Sequence, residues 1–275
     1  MVGKRPDQQD TISIIRSFRN ETNGYFFAIF DGHAGKTKTK FFFLFFFFFY
    51  LFFFLHLIFF FFFSSFLGYY SSEYAASYLH VVLEENLNKN LPVEEALKET
   101  FKQMHEEIEK KNFEDGTAAL VVYLTTNSIW LANAGDSRAI MCRKGRPFPL
   151  SRDHKSDSID EKRRIKNLNG FITEESRVNG ILSLSRALGD CEQQPHVTWL
   201  PDILQMDINN AIEYIIMACD GLWDVVSNDE VVNIVLTEKD PRIAAIKLRD
   251  LAYQLGSTDN ISVIVVRMDH VNENN

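Results

Sequence analysis

The sequence predicts an α+β fold built from antiparallel strands, with helices gathered in pairs. Three observations lead there. Apolar, β-branched and aromatic runs of strand length recur at 25–30, 120–125, 128–134 and 214–218. Short turn signals such as Thr126-Asn127 and Lys144-Gly145 join neighbouring runs, which suits hairpins. Helical patterns stand next to one another instead of following every strand, which argues against a doubly wound sheet.

Taken in order, 11–16 alternates like a half-buried strand, 20–24 turns, and 25–30 pairs back towards the first strand. Gly32 and Gly35 then offer a turn behind Asp31 where a Cβ would clash. After residue 70 an amphipathic helix runs to about 86. Pro92 opens a second helix, 93–111, at a position where its missing N–H is harmless. Val93, Ala96, Leu97, Phe101, Met104 and Ile108 recur there at helical spacing as a core stripe, and His105 reads as a surface residue.

Strands at 120–125, 128–134 and 138–143 suggest an antiparallel meander. Ser158 with Glu161 makes a capping box for a polar helix that Gly170 closes. Short strands are expected at 171–173, 177–180 and 181–183. Ser227 with Glu230 makes a second capping box, and Asp240-Pro241 starts a last helix that Gly256 ends. The final strand is 261–268.

Residues 41–63 break this pattern. The tract is apolar and mostly phenylalanine, relieved by Tyr50 and His56, and it follows Lys36, Lys38 and Lys40. Length and polarity fit a transmembrane helix with a basic flank. Its near-monotony argues against that, and phenylalanine-rich runs are aggregation hazards. Phe, Leu, Ser and Tyr all have T-rich codons, so a pyrimidine-rich intron read in frame is the leading account. A membrane span and a low-complexity insertion are the alternatives. Residues 36–70 thus read as an insertion into one domain covering 1–275.

The formal charge of −8 disfavours a grip on nucleic acid. Three cysteines without C-x-x-C spacing suit a reducing compartment and exclude a zinc or disulfide framework. The opening residues are too polar for a secretory signal. A monomer in the cytoplasm or nucleus is expected, with membrane attachment only if 41–63 is genuinely made.

The chemistry-bearing pattern is an aspartate at one end of strand after strand. Asp31 ends 25–30, Asp220 follows 214–218, and Asp136 follows 128–134. Asp259 precedes 261–266, and Asp10 precedes 11–15. Any one of them is an ordinary turn residue. Converging carboxylates repel one another unless a cation joins them, and hard divalent cations prefer oxygen ligands. Arg5 suits either a surface charge or a bidentate phosphate clamp.

Eight motifs in order give a family resemblance. They are Arg5-x-x-x-Gln9-Asp10, Asp31-Gly-His-Ala-Gly35, Gly116-Thr117-Ala118, Ala134-Gly-Asp-Ser-Arg138, Val178-Asn-Gly-Ile-Leu182, Ser185-Arg-Ala-Leu-Gly-Asp190, Asp220-Gly-Leu-Trp-Asp224 and Ser257-Thr-Asp-Asn-Ile-Ser262. The chain resembles the metal-dependent Ser/Thr protein phosphatases of type two C from residue 3 to about 268, apart from 36–70.

The resemblance implies a four-layer α-β-β-α sandwich with two Mn²⁺ or Mg²⁺ ions at one end, a weaker third ion, and phosphoprotein substrates. By position, Asp31 would bridge the ions and the Gly32 carbonyl would bind one of them. Asp220 and Asp259 would hold the other ion. Asp136 and Asp224 would serve the third with Asp220. Asp10 would orient the attacking water, Arg5 would bind phosphate, and His33 would be the general acid. Gln9 stands where the family often has Glu, which implies a weaker ligand. The stretch 165–201 matches the variable flap. An inactive or membrane-tethered binding module is the competing reading.

Overall fold

The computed structural model describes residues 1–21, 24–33 and 69–268. The tract at 41–63, Ala34 and Gly35, the middle of the 20–24 turn and the tail after Met268 lie outside the described residues. Strands β1 (Thr11–Arg16), β2 (Tyr25–His33), β3 (Gly116–Leu124), β4 (Ser128–Ala134) and β8 (Asp202–Asp207) form one antiparallel sheet in the order β1-β2-β3-β4-β8. The two-residue β7 (Leu188–Gly189) pairs with the start of β3. A second sheet runs β10-β9-β5-β6, from Val263–Arg267, Ile212–Ala218, Arg138–Arg143 and Arg146–Pro149.

The central strands carry near-continuous apolar runs because both of their faces are covered. In β2, Phe26, Ala28 and Phe30 point into the core shared with helices α1 (Tyr70–Asn88) and α2 (Val93–Lys110). Their neighbours Phe27 and Ile29 point the other way, into the core between the sheets. β9 repeats the device. Ile215 and Met217 face the first sheet, while Tyr214, Ile216 and Ala218 face α5 (Asn228–Thr237) and α6 (Pro241–Gln254). Each large side chain so buried contributes roughly 1.5–3 kcal/mol. The layers are therefore helix pair, sheet, sheet and helix pair, as expected.

Several local expectations are corrected. Gly32 does not turn the chain: β2 continues through it to His33, opposite Thr117 and Gly116 of β3. The expected meander divides after β4, because β4 and β5 belong to different sheets and the chain crosses at Gly135-Asp136-Ser137. Between 171 and 183 only isolated bridges form, among them Ile172 with Val178 and Val178 with Leu182.

His105 is buried, and its Nδ1 accepts the Gly189 amide at 3.3 Å, because α2 packs against β7. Helix α1 starts at Tyr70, inside the expected insertion. Its first amides, Tyr70 and Ser71, donate to the buried Asp115 carboxylate at 2.8 and 3.3 Å. A cap supplied from beyond α2 thus fixes where α1 begins.

Candidate active site

The antiparallel register gathers the aspartates. In such a sheet the end of one strand lies beside the start of the next. Thr11 faces Phe30, so Asp10 and Asp31 adjoin at the same edge, and Ala134 faces Ala119, which brings Asp136 to that edge as well. In the second sheet Ala218 faces both Val263 and Arg138, which places Asp220 beside the loop carrying Asp259. That loop comes so close that a Cβ on Gly221 would lie 1.9 Å from the Asn260 carbonyl, a contact only glycine allows.

Carboxylate oxygens of Asp31, Asp136 and Asp220 lie within 4.8 Å of one another, and Asp10 and Asp31 form a similar group with the Cys219 thiol. The electrostatic consequence is severe. Burial, then Asp10, Asp220, Asp136 and Asp259, raises the Asp31 carboxyl well above its ordinary range. Burial, then Asp136, Asp259 and Asp224, pushes Asp220 up to about 8. Burial raises Asp10 and Asp136 as well. One oxygen of the buried Asp10, Oδ2, has no hydrogen-bond partner among the described residues. A crowded oxygen set with an unpartnered acceptor fits hard divalent cations. The Cys219 thiol is pushed far up by burial and by Asp10 and Asp31, and it donates to the Asn260 carbonyl at 3.3 Å.

Arg5 lies over Asp259 in a forked pair, Nε to Oδ1 at 2.9 Å and Nη2 to Oδ2 at 2.5 Å. Gln9 is held by its backbone: its N–H donates to Asn260 Oδ1 at 2.7 Å and its carbonyl accepts from Ser72 Oγ at 2.6 Å. Gly32 is buried between Asp31 and His33. Asp224, the C-cap of the short helix α4 (Asp220–Trp223), is exposed and pairs with Lys155 Nζ at 2.7 Å.

Three residues escaped the sequence reading. Asp190 holds His33 Nε2 at 2.6 Å. Burial opposes a charged imidazole, yet Asp190, with Asp136 and Asp115, brings the His33 pKa above its ordinary value. Asn260 donates to the Val2 and Asp7 carbonyls at 2.7 and 3.0 Å, and so binds the opening segment to the site. Lys155 sets a positive charge before Asp224, Asp136 and Asp220. Asp190 and Asn260 stand inside recognised motifs, so their positions carried a signal although their partners did not. Lys155 carried none.

The family model for protein phosphatase 2C matches residues 56–261. The chain belongs to the protein phosphatase 2C family. It is 33% identical to rice (Oryza sativa subsp. japonica) probable protein phosphatase 2C 7 over 98% of this chain and 64% of that protein. It is 39% identical to Arabidopsis thaliana probable protein phosphatase 2C 76 over 71% of this chain and 49% of that one. The chain thus spans about half to two thirds of the length of these curated relatives.

Two solved structures share the fold. A C. elegans sex-determining protein superposes with TM-score 0.75 at 24% identity, over 96% of this chain and 62% of that one. Serine-threonine phosphatase 2C from Toxoplasma gondii gives TM-score 0.74 at 18% identity, over 97% and 92%.

Proposed function

We propose that the chain hydrolyses phosphoserine and phosphothreonine in proteins with a pair of Mn²⁺ or Mg²⁺ ions, a weaker third ion being held further out. The observation that carries this reading is the convergence of Asp10, Asp31, Asp136, Asp220 and Asp259 in a family member, with Asp31 and Asp220 driven towards their protonated forms. Asp31, the Gly32 carbonyl, Asp220 and Asp259 would hold the pair, with Gln9 adding a neutral oxygen. Asp136 and Asp224 would serve the outer ion with Asp220. The ions supply an activated water and neutralise charge on the phosphoryl oxygens.

The side chains do the rest. Asp10 accepts a proton from the attacking water and orients it. Arg5 exchanges Asp259 for phosphoryl oxygens, which offer its fork the same geometry. His33, fixed through Nε2, turns its other nitrogen to the leaving oxygen. A cysteine nucleophile is disfavoured: burial pushes Cys142 up to about 12 and Cys191 up to about 11, and Cys219 is raised further. Intact aspartates likewise disfavour an inactive binding module.

The test is hydrolysis of p-nitrophenyl phosphate and a phosphothreonine peptide by the full chain with Mn²⁺. Activity should vanish on chelation and fall at least about a hundredfold in Asp31→Asn and in Asp220→Asn. Undiminished turnover in either variant would refute the metal assignment.

A further inference from the structure

We infer that His154 is a positioning residue for Asp136, acting through a two-point clasp on Gly135. This rests on the reading of Asp136 as a metal ligand. Gly135 occupies the sheet-to-sheet crossing at φ +140, and a Cβ there would lie 2.3 Å from that of Ala118. Such a peptide has other conformations available to it, because glycine resists none of them. Something must hold it.

Both polar groups of Gly135 are held by one residue. The Gly135 N–H donates to His154 Nδ1 at 3.2 Å, and the His154 backbone N–H donates to the Gly135 carbonyl at 3.0 Å. Asn133 Nδ2 adds a donor to the same carbonyl at 3.1 Å. The clasp closes immediately before Asp136, whose direction follows from that peptide plane.

The imidazole itself is fully buried. Its far nitrogen, Nε2, lies 3.2 Å from Asp202 Oδ2, an oxygen already bonded by Arg152 Nε at 2.7 Å, and makes no hydrogen bond of its own among the described residues. Asp202 Oδ1 takes Arg186 Nη1 at 2.6 Å, and Arg186 in turn grips the buried Glu161 through Nε and Nη2 at 3.1 and 2.7 Å. Glu161 sits on α3 (Ile159–Asn167), the helix that leads into the stretch 165–201. A train of ionic contacts therefore leads from α3 to the Asp202 carboxylate beside the ring. Because Nδ1 accepts, the ring must carry its proton on Nε2, facing the Asp202 carboxylate. Burial also lowers the His154 pKa, which keeps the ring neutral.

Amide isosteres separate the two ends of the ring. Asn places its side-chain oxygen where Nδ1 stands, whereas Gln places its terminal nitrogen where Nε2 stands. Mn²⁺ affinity is measured by titration calorimetry on the full chain, with melting temperature followed alongside. His154→Asn should bind Mn²⁺ within about threefold of the parent, and His154→Gln should bind it at least about tenfold more weakly, a difference of roughly 1.4 kcal/mol. Equal weakening in both, or none in His154→Gln, would overturn the clasp, since a merely structural role would lower melting temperature without that order.

The parent chain supplies a second readout that needs no variant. Long-range ¹⁵N–¹H correlation should show a neutral His154 protonated on Nε2, and a ring protonated on Nδ1 would overturn the inference. A parent chain that binds no Mn²⁺ would sink the metal reading instead, and the tautomer would still decide the clasp.

Discussion

Arg5 and His33 both border the carboxylate cluster, and each is tied to an aspartate, but the ties differ in kind. Arg5 and Asp259 leave 50% and 29% of their side chains exposed. His33 and Asp190 leave 20% and 2%. Water screens the first pair, so it contributes at most about 1 kcal/mol and can be exchanged for another anion. The second pair is largely dry, and removing Asp190 would strand a ring that the fold has already desolvated. In the proposed mechanism the first cation would move onto a substrate, while the second would be held in place for a proton transfer.

Breaking the buried pair should have the largest effect. With Asp190→Asn, kcat on phenyl phosphate, whose leaving group needs a proton, should fall about a hundredfold. Turnover of p-nitrophenyl phosphate, whose leaving group does not, should fall less than about fivefold. Equal losses on both substrates would show that Asp190 does not act through His33.

The exposed pair should respond differently. Arg5→Ala should raise KM for a phosphothreonine peptide about tenfold, roughly 1.4 kcal/mol, with kcat little changed. Mn²⁺ affinity should hold or improve, because Asp259 loses a competitor. Weaker Mn²⁺ binding would mean that Arg5 supports the metal site instead of the substrate.

The smallest effect concerns the cluster that both pairs leave short of positive charge. Asp220, at about 8, keeps its proton in the folded, metal-free chain after the unfolded chain has lost it. His33, raised, acts in the same direction. Between pH 7 and 8.5 the folded state therefore binds more protons, and stability must fall as pH rises. His80, His105 and His154, all lowered, exert their opposite effect mainly below that window. The melting temperature of chelator-treated protein should drop by a few degrees across it, and Asp220→Asn should flatten the slope. A slope unchanged in that variant would place the missing charge elsewhere.

Two identical signatures show how far local sequence carries. Ser227 and Glu230 form the capping box they spell: Glu230 N–H donates to Ser227 Oγ at 3.3 Å, and Ser227 N–H donates to Glu230 at 3.0 Å. Ser158 and Glu161 spell the same box, and Ser158 makes no side-chain cap. Glu161 is buried against Arg186 and Arg164 instead. Arg186 lies 25 residues away in the chain, so no window around the helix could disclose it. A buried, forked, charged bond outweighs an exposed neutral one.

Local patterning was enough to place the long strands β1 to β5, β9 and β10, the helix pairs and the end of the sheets where aspartates would collect, but not the edge strand β8. Those follow from periodicity and from residue chemistry within a few positions, such as the unbroken apolar runs of β2 and β9. Tertiary structure alone decided that β4 and β5 part into different sheets, that Asp190 holds His33, and that His154 clasps Gly135. Each of these joins residues far apart in the chain through burial. Desolvation, which only the packed fold creates, turns such a meeting into a strong constraint.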